Sequence, residues 1–234
     1  MTRSLLHEVS DSPIIDSLHS TAPVKGLTHN FYRYPARMSP ELARTVVSHF
    51  SKPNDVVLDP FMGGGTTIVE ALAMGRRSVG VDLNPLATFV ATAKTTPLSA
   101  RDTSMLTAWA TSAPIDENLS RIEEASVEDP RVRNLPFPLV ALFAGLRNSI
   151  SELPFPRQRR FARCVLLRFG QWAVDGKTLT PSIERMREEF YRIVDDMLEG
   201  LDLLVANAGA SGIDKRHITS HRLIKLGSII GFEK

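Results

Sequence analysis

Three consecutive glycines, Gly63 to Gly65, join a short apolar run ending in a carboxylate, Val56-Val57-Leu58-Asp59, to a segment with helical apolar spacing. No other feature of the chain restricts its fold as much. The run reads as a buried strand and Thr66 to Met74 as a helix that Gly75 can end; Ser78-Val79-Gly80-Val81-Asp82 reads as a second strand. Strand, glycine turn, helix and parallel strand make a βαβ unit with a right-handed crossover, the building block of an α/β sheet. Glycines let the backbone turn sharply and approach a ligand, and the helix start offers unpaired N–H groups to an anion. Asp82 ends the second strand about 20 residues beyond the loop, where a carboxylate can accept hydrogen bonds from both ribose hydroxyls of a nucleoside cofactor. The loop lacks the lysine of GxxxxGK[ST], and Ile68 stands where the dinucleotide fingerprint wants its third glycine, so both of those nucleotide readings lose ground.

The flanking sequence extends the pattern. Ser39 and Pro40 suit the cap and first position of a helix whose apolar residues Leu42, Ala43, Val46, Val47 and Phe50 share a face. The chain divides into residues 1–97, holding the N-terminal segment and the βαβ unit; 98–205, a helical insertion or subdomain broken by prolines; and 206–234, a tail of uncertain structure. Within the second stretch, Ile183, Met186, Phe190, Ile193, Met197, Leu201 and Leu204 mark the buried face of a long helix. The tail offers no convincing third strand.

At this point the residues resemble a known family. DPFMGGGTT, residues 59–67, is similar to the DPFxGxGTT motif of DNA methyltransferases that modify exocyclic amino groups (adenine N6 or cytosine N4), with S-adenosylmethionine as donor. GVDLNP, residues 80–85, resembles the partner motif, and HNFYRYPARMSPELA, residues 29–43, the segment that packs beside the methionine end of the cofactor. The resemblance covers about residues 28–97. It implies a partial Rossmann-like methyltransferase sheet with a helical C-terminal region, and DNA as partner. It also implies that Asp59, Pro60, Phe61, Gly63, Gly65, Thr66 and Thr67 hold the methionine side of S-adenosylmethionine, Asp82 the ribose, and Asn84 or Pro85 adenine. Pro35 and Arg37 are further cofactor candidates.

Amino methylation needs help, because the nitrogen lone pair is delocalised into the base. The family supplies it with [DNS]PP[YFW], whose polar groups accept hydrogen bonds from the amino group while the aromatic ring stacks on a flipped base. The fifteen prolines here include no Pro-Pro dipeptide, so no residue is assigned a catalytic role. The chain therefore reads as the cofactor half of such an enzyme. Truncation ranks first among the explanations; the others are a split enzyme whose second polypeptide carries the motif and a cofactor-binding fold put to another use. The alternatives are a catalytically inactive protein that binds cofactor or nucleic acid, and an RNA amino-methyltransferase.

A net charge of +2 gives no global attraction to phosphate, so any must be local. Arg157, Arg159, Arg160 and Arg163 lie in a stretch without acidic residues and are the candidates for nucleic-acid contact. His217 and His221 have the i, i+4 spacing of a metal pair but lack a third ligand, so no metal is expected. His29 either borders the cofactor or hydrogen-bonds a loop backbone, and Trp109 and Trp172 read as packing anchors. The single cysteine, Cys164, reads as buried and allows no intrachain disulfide, which fits a reducing cytoplasm. The longest apolar run, Pro138 to Leu146, is too short to cross a bilayer.

Overall fold

The computed structural model describes residues 13–21, 24–115, 137–175 and 180–230. The chain divides into two compact units, residues 1–97 with 199–234, and residues 98–198.

In the first unit, α1 (Pro13–His19) and a 3-10 turn (His29–Phe31) precede α2 (Pro40–Phe50), β1 (Val56–Asp59), α3 (Thr66–Ala73), β2 (Arg77–Asp82) and α4 (Pro85–Lys94). Pro40 stands in the first turn of α2, where its missing N–H costs nothing. Ser39 caps that helix through its backbone carbonyl, which accepts the Ala43 N–H, and its side chain makes no capping bond. Of the expected apolar face of α2, Ala43 and Val47 are buried while Phe50 is exposed. Gly75, at φ +79°, stops α3 as its sequence position suggests.

The sheet is parallel, with strand order β1-β2-β3, and β3 (Arg222–Leu226) is a strand that the sequence does not lead one to expect. It pairs with β2 from Ser78↔Arg222 to Asp82↔Leu226. The Arg222 guanidinium fastens its start to the Thr95 carbonyl and the Thr96 hydroxyl at the end of α4. Its Arg-Leu-Ile-Lys-Leu pattern and exposed Leu223 and Leu226 explain why it is hard to see in sequence, since an edge strand carries neither clean alternation nor full burial. β1 is likewise an edge strand rather than the buried one expected. Val56 and Leu58 are more than half exposed and, with Met38, Val46 and Phe50, line an apolar groove of about 350 Å³. The core lies on the other side of α3, where Ile68, Val69 and Leu72 meet Leu204 and Ala208 from the end of α8 (Ile183–Ala210), together with Ile213 and Ile218.

The second unit holds α5 (Ala100–Thr111), α6 (Phe137–Ser151), α7 (Pro156–Val174) and the part of α8 up to Leu198. Met186, Phe190, Ile193 and Met197 are buried at helical spacing, as the apolar periodicity predicts. The Phe190 ring meets Trp109 and Phe169 edge-on, Trp172 stacks on Phe169, and the Trp109 indole N–H donates to Ser149 Oγ, so both tryptophans pack within this unit. Cys164 is buried.

Among the described residues of this unit, Asp102 forms a buried polar junction. Asp102 caps α5 reciprocally with Ser99 and accepts further bonds from Arg157 Nε at 2.6 Å and Gln158 Nε2 at 2.8 Å. Burial pushes its carboxyl pKa up, but the bonds from Arg157 and Ser99 outweigh that and hold it at about 2. Replacing Asp102 by Ala strands the fully buried Gln158 amide and should cost about 2–3 kcal/mol in urea unfolding at neutral pH. Because the folded pKa is depressed, this stabilisation is complete above pH 3.8 and drains away as the pH falls toward 2. An Asp102→Ala variant as stable as wild type at pH 7 would refute this account.

Among the described residues no helix is long and apolar enough to cross a membrane, and no group of three or more His, Cys, Asp or Glu side chains is placed to hold a metal ion. The His221 ring instead hydrogen-bonds the His217 carbonyl.

Candidate functional site

The chain leaves β1 at Asp59, whose Oδ1 accepts the Phe61 N–H and turns the backbone across the strand ends. The Met62 N–H then bonds the Val81 carbonyl, so the loop is stitched to the end of β2. Gly63 and Gly65 sit at φ +48° and +76°, a region where a side chain is strained. A Cβ on Gly65 would stand 2.8 Å from that of Ala91, so glycine also lets the loop lie directly on α4.

Asp82 connects the two motifs. One carboxylate oxygen accepts the Gly63 N–H at 2.9 Å and the other the Asn84 N–H at 2.8 Å. Each oxygen keeps acceptor capacity beyond these bonds. Asn84 caps α4 by accepting the Leu86 N–H, and its amide donates to the Tyr34 hydroxyl, which ties the N-terminal segment to the sheet.

A cavity of about 410 Å³ opens beside this loop, within the range typical of small-molecule sites. It brings together Pro35, Arg37, Asp59, Phe61, Gly63, Thr66, Thr67 and Asp82 from the sequence-derived set. Pro60, Gly65, Asn84 and Pro85 lie outside its lining. Tyr34, Ala36, Met38, Met62 and Gly64 complete the wall and were not singled out, although all five belong to the segments 29–43 and 59–67. Ala36 has φ +49°, a strained conformation for a residue with a side chain and of a kind that collects at functional sites. The Arg37 pKa is lowered by burial and by neighbouring Arg33, so an anion entering the cavity would relieve it.

His29 does not border the cavity. Its ring is buried in a network behind the loop, with Nε2 donating to Glu70 Oε1 at 2.7 Å while Arg44 grips the same carboxylate through two bonds. Glu70 and Lys94, both buried on helices, carried no sequence signal because neither belongs to a motif.

In the helical unit, Arg157 is bound to Asp102 and stacked over Phe155, and Arg159 donates to the Leu153 carbonyl. Arg160 is half-buried and Arg163 exposed.

Comparison with known proteins finds likenesses to the segment that carries these features. The profile described as DNA methylase matches residues 10–91, which include the N-terminal segment, the glycine loop and Asp82. Type II methyltransferase M.MvaI of Kocuria varians is 47% identical over 77 residues, 32% of this chain and 17% of that protein. DNA adenine methyltransferase YhdJ of Escherichia coli is 34% identical over 61 residues, 26% of this chain and 21% of that protein. A tRNA (guanine(10)-N2)-dimethyltransferase of Methanothermobacter thermautotrophicus is 48% identical over 52 residues, 22% of this chain and 16% of that protein. The matched stretches span about a fifth or less of these relatives' lengths. No solved structure matches significantly. Residues 10–91 are thus similar to the DNA methylase family and to these methyltransferases.

Proposed function

We propose that the sheet unit binds S-adenosylmethionine for methyl transfer to an exocyclic amino group of a DNA base, adenine N6 or cytosine N4. The observation that carries this reading is the double role of Asp82. Its carboxylate holds the glycine loop through Gly63 while lining the cavity with acceptor capacity to spare, a donor set suited to a ribose diol. The three strands are then one half of a Rossmann-like sheet, with the cavity at their C-terminal ends, where ligands of parallel sheets bind.

When bound, the cofactor supplies an electrophilic sulfonium methyl. Asp59, Phe61, Gly63, Thr66 and Thr67 would hold its methionine side, with Pro35 and Arg37 as further lining residues, while Pro60 and Gly65 shape the turn. Asn84 and Pro85, just past Asp82, would hold the adenine. The sequence has no Pro-Pro dipeptide, and no residue of it is assigned the task of orienting the amino nitrogen; a second polypeptide would be one source of those acceptors. Arg160 and Arg163 are offered for phosphate contact, which added salt would weaken.

The test is calorimetric titration with S-adenosylmethionine, then transfer of labelled methyl to unmethylated DNA and to tRNA. Folded wild-type protein that binds no cofactor would overturn the reading. Binding without transfer supports a separate source of the amino-orienting groups, whereas transfer to DNA by this chain alone would refute that requirement. Methylation of tRNA only would establish the RNA reading instead.

A further inference from the structure

Lys94, the last residue of α4, is 1% exposed, and its ammonium donates to the Gly64 carbonyl at 2.7 Å. A buried ammonium is costly, and a methionine of similar length would fill the same space without that cost, so packing alone does not account for a lysine here. Its position suggests what does. The Gly64–Gly65 peptide is pinned at both ends, its carbonyl by Lys94 and its N–H by the Met62 carbonyl at 2.8 Å. Met62 and Gly63 are fastened to β2 by their own N–H groups. The N–H groups left without a backbone partner in this stretch belong to Gly64, Thr66 and Thr67, three residues that line the cavity.

Behind the loop, Glu70 is bound by His29 and Arg44, and burial keeps His29 toward its neutral form. The N–H groups of Gly64, Thr66 and Thr67, at the start of α3, suit an anionic group.

Building on the cofactor reading above, we propose that Lys94 is a positioning residue: by holding the Gly64 carbonyl inward, it sets the loop N–H groups to receive the carboxylate-bearing amino-acid end of S-adenosylmethionine. The nucleoside end, held at Asp82, does not depend on it.

The experiment compares two ligands on the full chain by calorimetry: S-adenosylmethionine, and 5′-methylthioadenosine, which shares the nucleoside and sulfur but lacks the amino-acid end. Lys94→Met should weaken the first on the order of tenfold to a hundredfold and the second by less than about twofold. A purely structural role would lower both together, so equal losses, or no loss with either ligand, would overturn the proposal. Lys94→Gln, which keeps a donor but no charge, should fall between wild type and Lys94→Met for S-adenosylmethionine alone. If Lys94→Met does not fold, Lys94→Gln takes its place: a loss confined to S-adenosylmethionine upholds the proposal, and equal losses or none overturn it. Wild-type protein that binds neither ligand would overturn the cofactor reading and this proposal with it, whereas wild type binding both with unequal losses in the variant upholds both.

Discussion

Asp82→Ala should weaken S-adenosylmethionine binding by on the order of a hundredfold, about 3 kcal/mol, while leaving the chain folded. Two losses combine. The variant removes the acceptors proposed for the ribose hydroxyls, and it frees the Gly63 and Asn84 N–H groups, so the loop and the start of α4 lose their common anchor. Asp82→Asn separates the two contributions. Its single carbonyl oxygen can serve one of the two backbone donors while its NH2 opposes the other, so its affinity should lie between wild type and Asp82→Ala. Far-UV circular dichroism checks that the sheet unit persists, and calorimetry gives the affinity. Retention of wild-type affinity by folded Asp82→Ala would show that the ribose is held elsewhere.

The largest stability loss is expected at Glu70. This carboxylate is fully buried and accepts one bond from His29 and two from Arg44. Glu70→Ala should cost about 3–5 kcal/mol, because it leaves the buried His29 ring without its partner and opens a void under α3. Arg44 contributes less, since its side chain is half exposed and can turn to water. Replacing both partners, His29→Leu with Glu70→Leu, should recover most of the loss, because no buried polar group is then stranded. A double variant no more stable than Glu70→Ala in urea unfolding would refute the coupling.

The same pair sets the response to acid. Burial is the main cause of the lowered His29 pKa, with the Glu70 hydrogen bond opposing it. Burial also pushes Glu70 up, but the bonds from His29 and Arg44 prevail and leave it below its usual value. Both folded-state values are depressed, so in both cases the unfolded chain takes up protons first. The stabilisation is complete above pH 6.5 for His29 and above 4.5 for Glu70, and each contribution is lost as the pH falls below that value. Urea midpoints measured at pH 8, 5.5 and 4 should decline in wild type. In the double Leu variant the decline between pH 8 and 5.5 should shrink, and an unchanged decline would assign the acid response to other groups.

Part of this molecule was legible from local rules. The β1-loop-α3-β2 unit announces itself through apolar runs, three glycines and Gly75, because strand, turn and helix propensities act over a few residues. Asp82 could be chosen because a strand end has a known relation to the loop before it. The cavity then gathers most of the motif residues together.

Other features depend on partners far away in the chain. Arg157 looks like a free cation in sequence, yet it serves Asp102, 55 residues away. Lys94 and Glu70 look like ordinary polar positions on helices until folding places one under Gly64 and the other against His29. The βαβ unit, the glycine loop, the acidic strand end and the lack of a Pro-Pro motif could all be read directly from the amino-acid order. That Arg222 to Leu226 pair with β2, that β1 is an edge, and which charges lie buried behind the loop emerge only in three dimensions. Local propensities are written in neighbouring residues, whereas pairing and burial depend on what distant segments bring to the same place.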